Sequence, residues 1–194
     1  MTQTPALKEW AVICHALLLG EQIIDLRKGG LREDGRHFTV TTRDAWLYPT
    51  VEHQRAELLK APYAHWMELA AGSPVASDIT LHGWVEIVEA HSISSAEILD
   101  ALTPKVIWSQ EYAASRFTWK SRDPLWVLIM RAYRLQQPIT IEWSAQYGGC
   151  TSWVDLEGLP EDPRTLAHEP ALSDEAFAAR RNGTRDALGL ADAG

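Results

Sequence analysis

Leu125-Trp-Val-Leu-Ile-Met-Arg-Ala-Tyr133 carries the strongest β signal in the chain. Its apolar residues run almost without interruption instead of alternating, which suits a strand covered on both faces, with a helix as the alternative. Such a strand needs a layer on each side, and the neighbouring segments supply candidates. Downstream, Ile139 to Trp143 and Thr151 to Leu156 read as further strands, joined through the turn Tyr147-Gly-Gly-Cys150. Upstream, Asp78 to Glu89 alternates as a long strand whose pattern slips near Gly83, as at a β-bulge. Glu21 to Leu26, His37 to Thr41 and Ala45 to Tyr48 add shorter strands, and Val106 to Trp108 a brief one.

Helices are expected between these strands. Thr4-Pro5 resembles an N-cap with proline at the first helical position, and Leu7, Trp10, Ala11, Cys14, Leu17 and Leu18 follow at helical spacing to Gly20. Pro49-Thr50 reads as the start of a second helix through Leu59, and Pro62 should break it before another helical piece that ends at Gly72. Ser94 with Glu97 forms a capping-box pattern, Ser109 caps a helix to Ser115, and Ser173 caps one containing Phe177. Helices and strands mix without a βαβ rhythm. The expectation is therefore an α+β fold, a single domain around a mixed, strongly curved sheet with flanking helices, with a partly closed barrel as the alternative. The domain is expected over residues 1 to 158, and residues 159 to 194 form a proline-containing acidic C-terminal tail with a short helix.

Composition narrows the classes of function. The 194 residues suit one domain, and 46% hydrophobic with 23% charged side chains suits a globular one. No apolar window is long enough to span a membrane, and Met1 to Pro5 lacks the basic and apolar regions of a secretory signal, so a cytoplasmic location without membrane association is expected. A net charge of -8 disfavours a broad basic face for duplex DNA while leaving room for a local basic site. Nine Trp stand against three Phe, and such rings serve either as core or as stacking platforms for bases.

Five segments, taken in order, resemble the domain-of-unknown-function family eighteen-oh-two. They are Ala6-Leu-Lys-Glu-Trp-Ala11, Leu26-Arg-Lys-Gly-Gly-Leu-Arg-Glu33, Tyr48-Pro-Thr-Val-Glu-His-Gln54, Pro124-Leu-Trp-Val-Leu-Ile-Met-Arg-Ala-Tyr-Arg-Leu135 and Tyr147-Gly-Gly-Cys-Thr-Ser-Trp153. Some members of that family carry an attached restriction-endonuclease-like domain, so the resemblance implies a role in DNA processing or defence. It supplies no catalytic residues.

Three segments have the chemistry of a site. Arg27-Lys28-Gly29-Gly30, with Arg32 and Arg36 close by, can set basic side chains and backbone N–H groups around one anion, and a solvated β-turn explains the same letters. Thr50, Glu52, His53 and Gln54 would lie at a helix start, where free N–H groups favour phosphate; a cap with polar surface residues is the plainer account. Tyr147, Gly148, Gly149 and Trp153 could approach a ligand closely and stack on it, whereas Cys150 as a nucleophile has less to support it than a tight turn of small residues. His is scattered and Cys occurs only at positions 14 and 150, so no metal ligand set is expected.

The resulting expectation is a nucleic-acid or nucleotide phosphate-binding protein, with DNA or RNA as partner. The alternative is a phosphodiesterase- or nuclease-type hydrolase in which His53 is acid or base, Glu52 positions it and Mg2+ is the cofactor. A protein-interaction module is the third class.

Overall fold

The computed structural model describes residues 4–28, 42–70, 78–119, 124–149 and 151–190. Its strands are β1 (Thr4–Trp10), β2 (Ile24–Lys28), β3 (Asp44–Thr50), β4 (Asp78–Ile93), β5 (Leu125–Glu142), β6 (Trp153–Leu156) and β7 (His168–Pro170). Five α-helices flank them among the described residues: α1 (Ala11–Leu18), α2 (Trp66–Ala70), α3 (Ala96–Leu102), α4 (Gln110–Thr118) and α5 (Asp174–Ala187). The strands form one mixed sheet in the order β2-β5-β4-β3-β1-β6, with β7 also paired to β5, and the sheet curls strongly into a half-barrel. The α+β fold with a strongly curved sheet is thus present.

The apolar run at Leu125 is the heart of this sheet. Leu125 and Val127 to Met130 have no exposed surface, because β5 lies between β2 and β4 and is covered on both faces. The strand runs on through Glu142 and absorbs the separate strand expected at Ile139. Two cores result, one on each face. Leu7, α1, β2 and the facing residues of β4, β5, α3, α4 and α5 fill one; Ala6, Trp46, Tyr48, Trp84, Tyr147 and Leu156 are central to the other. Register in β4 shifts between Leu81 and Gly83, where the bulge was expected, and again between Ile87 and Glu89.

Three local expectations are corrected. Thr4 to Trp10 is a strand, parallel to β3 and antiparallel to β6, and the helix begins only at Ala11. Both Ala6 and Leu7 are enclosed, one in each core, so burial on two sides imitates a helical spacing. Thr50 ends β3 opposite Trp10 and starts no helix; after a turn at Glu52-His53 the chain makes only a short 3-10 turn at Ala56–Leu58. Val106 to Trp108 forms no strand and contributes a single bridge from Trp108 to Leu59. His37 to Thr41 lies outside the described residues.

The stretch after Gly158 carries the expected Ser173-capped helix and is bound closely to the rest. β7 extends the sheet at Tyr133 to Leu135. Phe177 of α5 and Leu188 at its C-terminal cap enter the first core, Arg181 and Arg185 both pair with Glu89 of β4, and Arg180 donates to the Glu21 carbonyl at 2.6 Å.

Candidate functional site

Four charged residues are buried among the described residues, Lys8, Asp25, Arg27 and Lys28, and all stand on β1 or β2. Charges cost free energy to enclose, so their clustering marks either an internal ion-pair frame or a site. Successive side chains of a strand point to opposite faces, which sends Lys8 one way and Glu9 the other.

On the Lys8 face, Nζ donates to the carbonyls of Tyr147 at 2.9 Å and Gly149 at 2.8 Å and lies 5.7 Å from the centre of the Tyr48 ring. The Lys8 N–H also donates to the Ser152 carbonyl. Lys8 therefore ties Tyr147, Gly149 and Ser152 to the strand end. Tyr147 is buried edge-on to Tyr48, and Gly149 has φ +80°, a conformation that favours glycine. Trp143, about half exposed, packs near Gly148.

The Glu9 face holds the ion cluster. Arg27 and Asp25 are two apart on β2 and share a face; Arg27 Nε donates to Asp25 Oδ2 at 2.5 Å, while Nη2 reaches Glu9 Oε2 at 2.8 Å and the Lys8 carbonyl at 3.0 Å. Glu9 Oε1 accepts from the Trp10 N–H at 2.7 Å, at the entry to α1, where no side chain caps the helix. Asp25 is fully enclosed, and its Oδ1 has no partner among the described residues. Burial, reinforced by Asp25, pushes the Glu9 carboxyl up to about 7 against the opposing pull of Arg27, the Trp10 N–H and Arg116. Burial acts against the Arg27 charge, yet Asp25 and Glu9 hold it above its ordinary value. Burial also raises the Cys14 thiol well above its usual range, which keeps it neutral and unreactive.

A stability consequence follows. A carboxyl raised in the folded state binds its proton more tightly there than in the unfolded chain, so its contribution is complete below the unfolded value near 4.5 and is lost as pH rises through about 7. Chemical denaturation across pH 4.5 to 8 should show stability falling with pH in that window, and Glu9→Gln should flatten the fall.

Arg27 and Lys28 are the last residues of β2, not part of an open turn; Lys28 Nζ donates to the Phe117 carbonyl at 2.6 Å. Gly29, Gly30, Arg32, Arg36 and Cys150 lie outside the described residues. Thr50 accepts from the Glu52 N–H at 3.2 Å, and Glu52 and His53 are exposed, His53 with φ +63°. Gln54 is half-buried with an enclosed Oε1 that lacks a partner among the described residues. Trp153 pairs with Leu7. All three segments therefore meet the end of β1, with Arg27 on its Glu9 face, Tyr147 to Gly149 on its Lys8 face and Thr50 beside Trp10. The strand lies between the first two, so they surround one strand end without opening on one cleft.

Sequence reasoning missed Lys8, Glu9 and Asp25. Lys8 and Glu9 fall between Leu7 and Trp10, two apolar positions of the helix expected there; Asp25, alone between Ile24 and Leu26, is the legible sign, since an acid is almost never fully buried unless paired. Among the described residues no three of His, Cys, Asp and Glu stand together as a metal site. An open cleft of about 870 Å³ lies elsewhere, beside Glu57, Lys60, Asp100, Ser109 and Glu111, and includes none of the segments singled out above.

A curled α+β half-barrel with a buried ion cluster at one strand end is the class of domain so defined. The chain belongs to the family described as Domain of unknown function (DUF1802), matched over residues 6–183. Among solved structures it is similar to two mutant forms of ZmASCH from Zymomonas mobilis, each 12% identical, with TM-scores of 0.43 and 0.44. These matches cover 80% and 81% of this chain and 89% and 92% of theirs. No curated protein matches the chain. No helix among the described residues is long and apolar enough to cross a membrane.

Proposed function

We propose that the chain binds the phosphate of a nucleotide or nucleic acid at the Glu9 face of the β1 end. The observation that carries this reading is the gathering of basic groups there: Arg27 beside the α1 entry, and Arg116 close enough to pull on the Glu9 carboxyl. An arginine fork with a helix-entry N–H meets the donor requirement of a phosphate oxygen. A stacking surface adjoins it. Trp119 is 49% exposed, and the Arg116 guanidinium lies 5.3 Å from its ring centre, so a base can lie on a face already next to a cation. The overall charge of -8 restricts such binding to this local patch.

Titration with fluorescently labelled single-stranded and duplex oligonucleotides at low salt tests the reading. Arg116→Ala should weaken binding several-fold and lower the slope of log K against log salt by about 1, and Trp119→Ala should weaken single-strand binding by about 1–3 kcal/mol. Absence of binding by both oligonucleotides, or affinity indifferent to both substitutions, would remove the proposal.

A further inference from the structure

We infer that phosphate replaces the Glu9 carboxylate on Arg27, so that ligand binding at this site is coupled to the uptake of one proton by Glu9. The inference rests on the phosphate-binding reading given above and deepens it. Two carboxylates hold the Arg27 guanidinium, and they are not equivalent. Asp25 has no exposed surface and grips Nε; the Glu9 side chain is 10% exposed and grips Nη2. Glu9 is thus the partner on the solvent side and the one an incoming anion can displace.

The displacement conserves hydrogen bonds. Glu9 accepts from two donors, the Trp10 N–H and Arg27 Nη2, and its departure offers both to a phosphate oxygen at the start of α1, where the helix favours negative charge. Without a proton, the displaced carboxylate would face both Asp25 and the phosphate while remaining largely enclosed. Two like charges held together in a low-dielectric setting raise the proton affinity of one of them. Asp25 Oδ1, enclosed and without a partner among the described residues, is an acceptor in the same cluster for the hydrogen that Glu9 gains.

The groups that bear on Glu9 are Asp25 and Arg27 from β2, the neutral Cys14 thiol from α1, and Arg116 and the Tyr112 ring from α4. Before binding, the Glu9 carboxyl is poised at about 7. The coupling therefore has a defined pH range: at about pH 6 Glu9 already holds its proton and little is taken up, whereas at about pH 8 uptake approaches one per site. Affinity falls about tenfold over the same range, because only the protonated form gives up Arg27 freely.

Calorimetric titration with a short oligothymidylate lacking a terminal phosphate, in buffers of different ionisation enthalpy, reads the proton directly, since that probe does not titrate near neutrality. The expected result is uptake approaching one proton at about pH 8 and near zero at about pH 6. Glu9→Gln should bind without uptake and with an affinity that no longer depends on pH, whereas His53→Ala should keep the wild-type uptake. Binding with no net uptake by the wild-type protein overturns the coupling, as does uptake lost in His53→Ala. Neither result touches phosphate binding itself. If the oligothymidylate does not bind at any pH, the same titration is made with the duplex; failure of both overturns the phosphate-binding reading, and the coupling falls with it. The wild-type titrations decide the matter even where Glu9→Gln does not fold.

Discussion

Arg27→Ala is expected to destabilise the fold by about 3–5 kcal/mol, the range seen when one member of a buried ion pair is removed. The reason lies in what stays behind. Asp25 is fully enclosed and takes its ion pair from Arg27 Nε, the Lys8 carbonyl loses the Nη2 donor, and Glu9 keeps only the Trp10 N–H. The deficit should be larger at pH 8 than at pH 5: loss of Arg27 removes a charge that pulls the Glu9 carboxyl down, so above about 7, where the wild type has released that proton, the variant still holds it and goes on losing stability as pH rises. Urea denaturation of the wild type and the variant at the two ends of that range provides the check. A loss below about 1 kcal/mol at both would mean that the cluster is hydrated like a surface pair.

Gly83→Ala is expected to cost about 3 kcal/mol, at the upper end of what overpacking costs. A Cβ built at Gly83 would stand 2.2 Å from the Tyr133 carbonyl oxygen and 2.4 Å from Leu18 Cδ2. The leucine tip could swing aside. The carbonyl could not, since it belongs to β5 where Trp84 pairs with Tyr133 and the two rings stack at 4.1 Å. Relief therefore requires the bulge to open, and thermal unfolding followed by tryptophan fluorescence should report both the lower midpoint and a changed environment for Trp84. Gly149→Ala is a useful contrast: nothing lies within 4 Å of its Cβ, so only the positive φ opposes it, at about 1 kcal/mol.

These two sites also show what the sequence made legible. The bulge could be read because alternation in β4 slips where Gly83 removes a side chain, a signal carried by local letters. β5 could be read because a strand enclosed on both faces has few polar residues to interrupt it. The Ser109 and Ser173 caps formed as expected, since a cap needs only its own first turn: their hydroxyls accept from Tyr112 and Ala176 N–H groups. The first strand could not be read that way. Thr4 to Trp10 has a helix-like start, and only β3 and β6, far off in sequence, make it extended. Thr50 fails for the same reason, as its pairing with Trp10 overrides a favourable N-terminal pattern. Arg27, Lys28, Thr50 and Tyr147 to Gly149 were singled out from their letters. Their common attachment to the end of β1 depends on Lys8 and Glu9, whose importance comes from burial that no short window of sequence displays.

The placement of β1 also constrains how the chain can fold. β1 is flanked by β6, which follows it far along the sequence, and the Thr4 hydroxyl donates to the Leu159 carbonyl across 155 positions. Closure at such separation is entropically slow and follows local structure formation. During synthesis the Ala6-Leu7 segment must therefore wait, unpaired on one edge and apolar, until Trp153 and Val154 have emerged. A nascent chain halted before Trp153 would leave that edge unpaired, a template for aggregation.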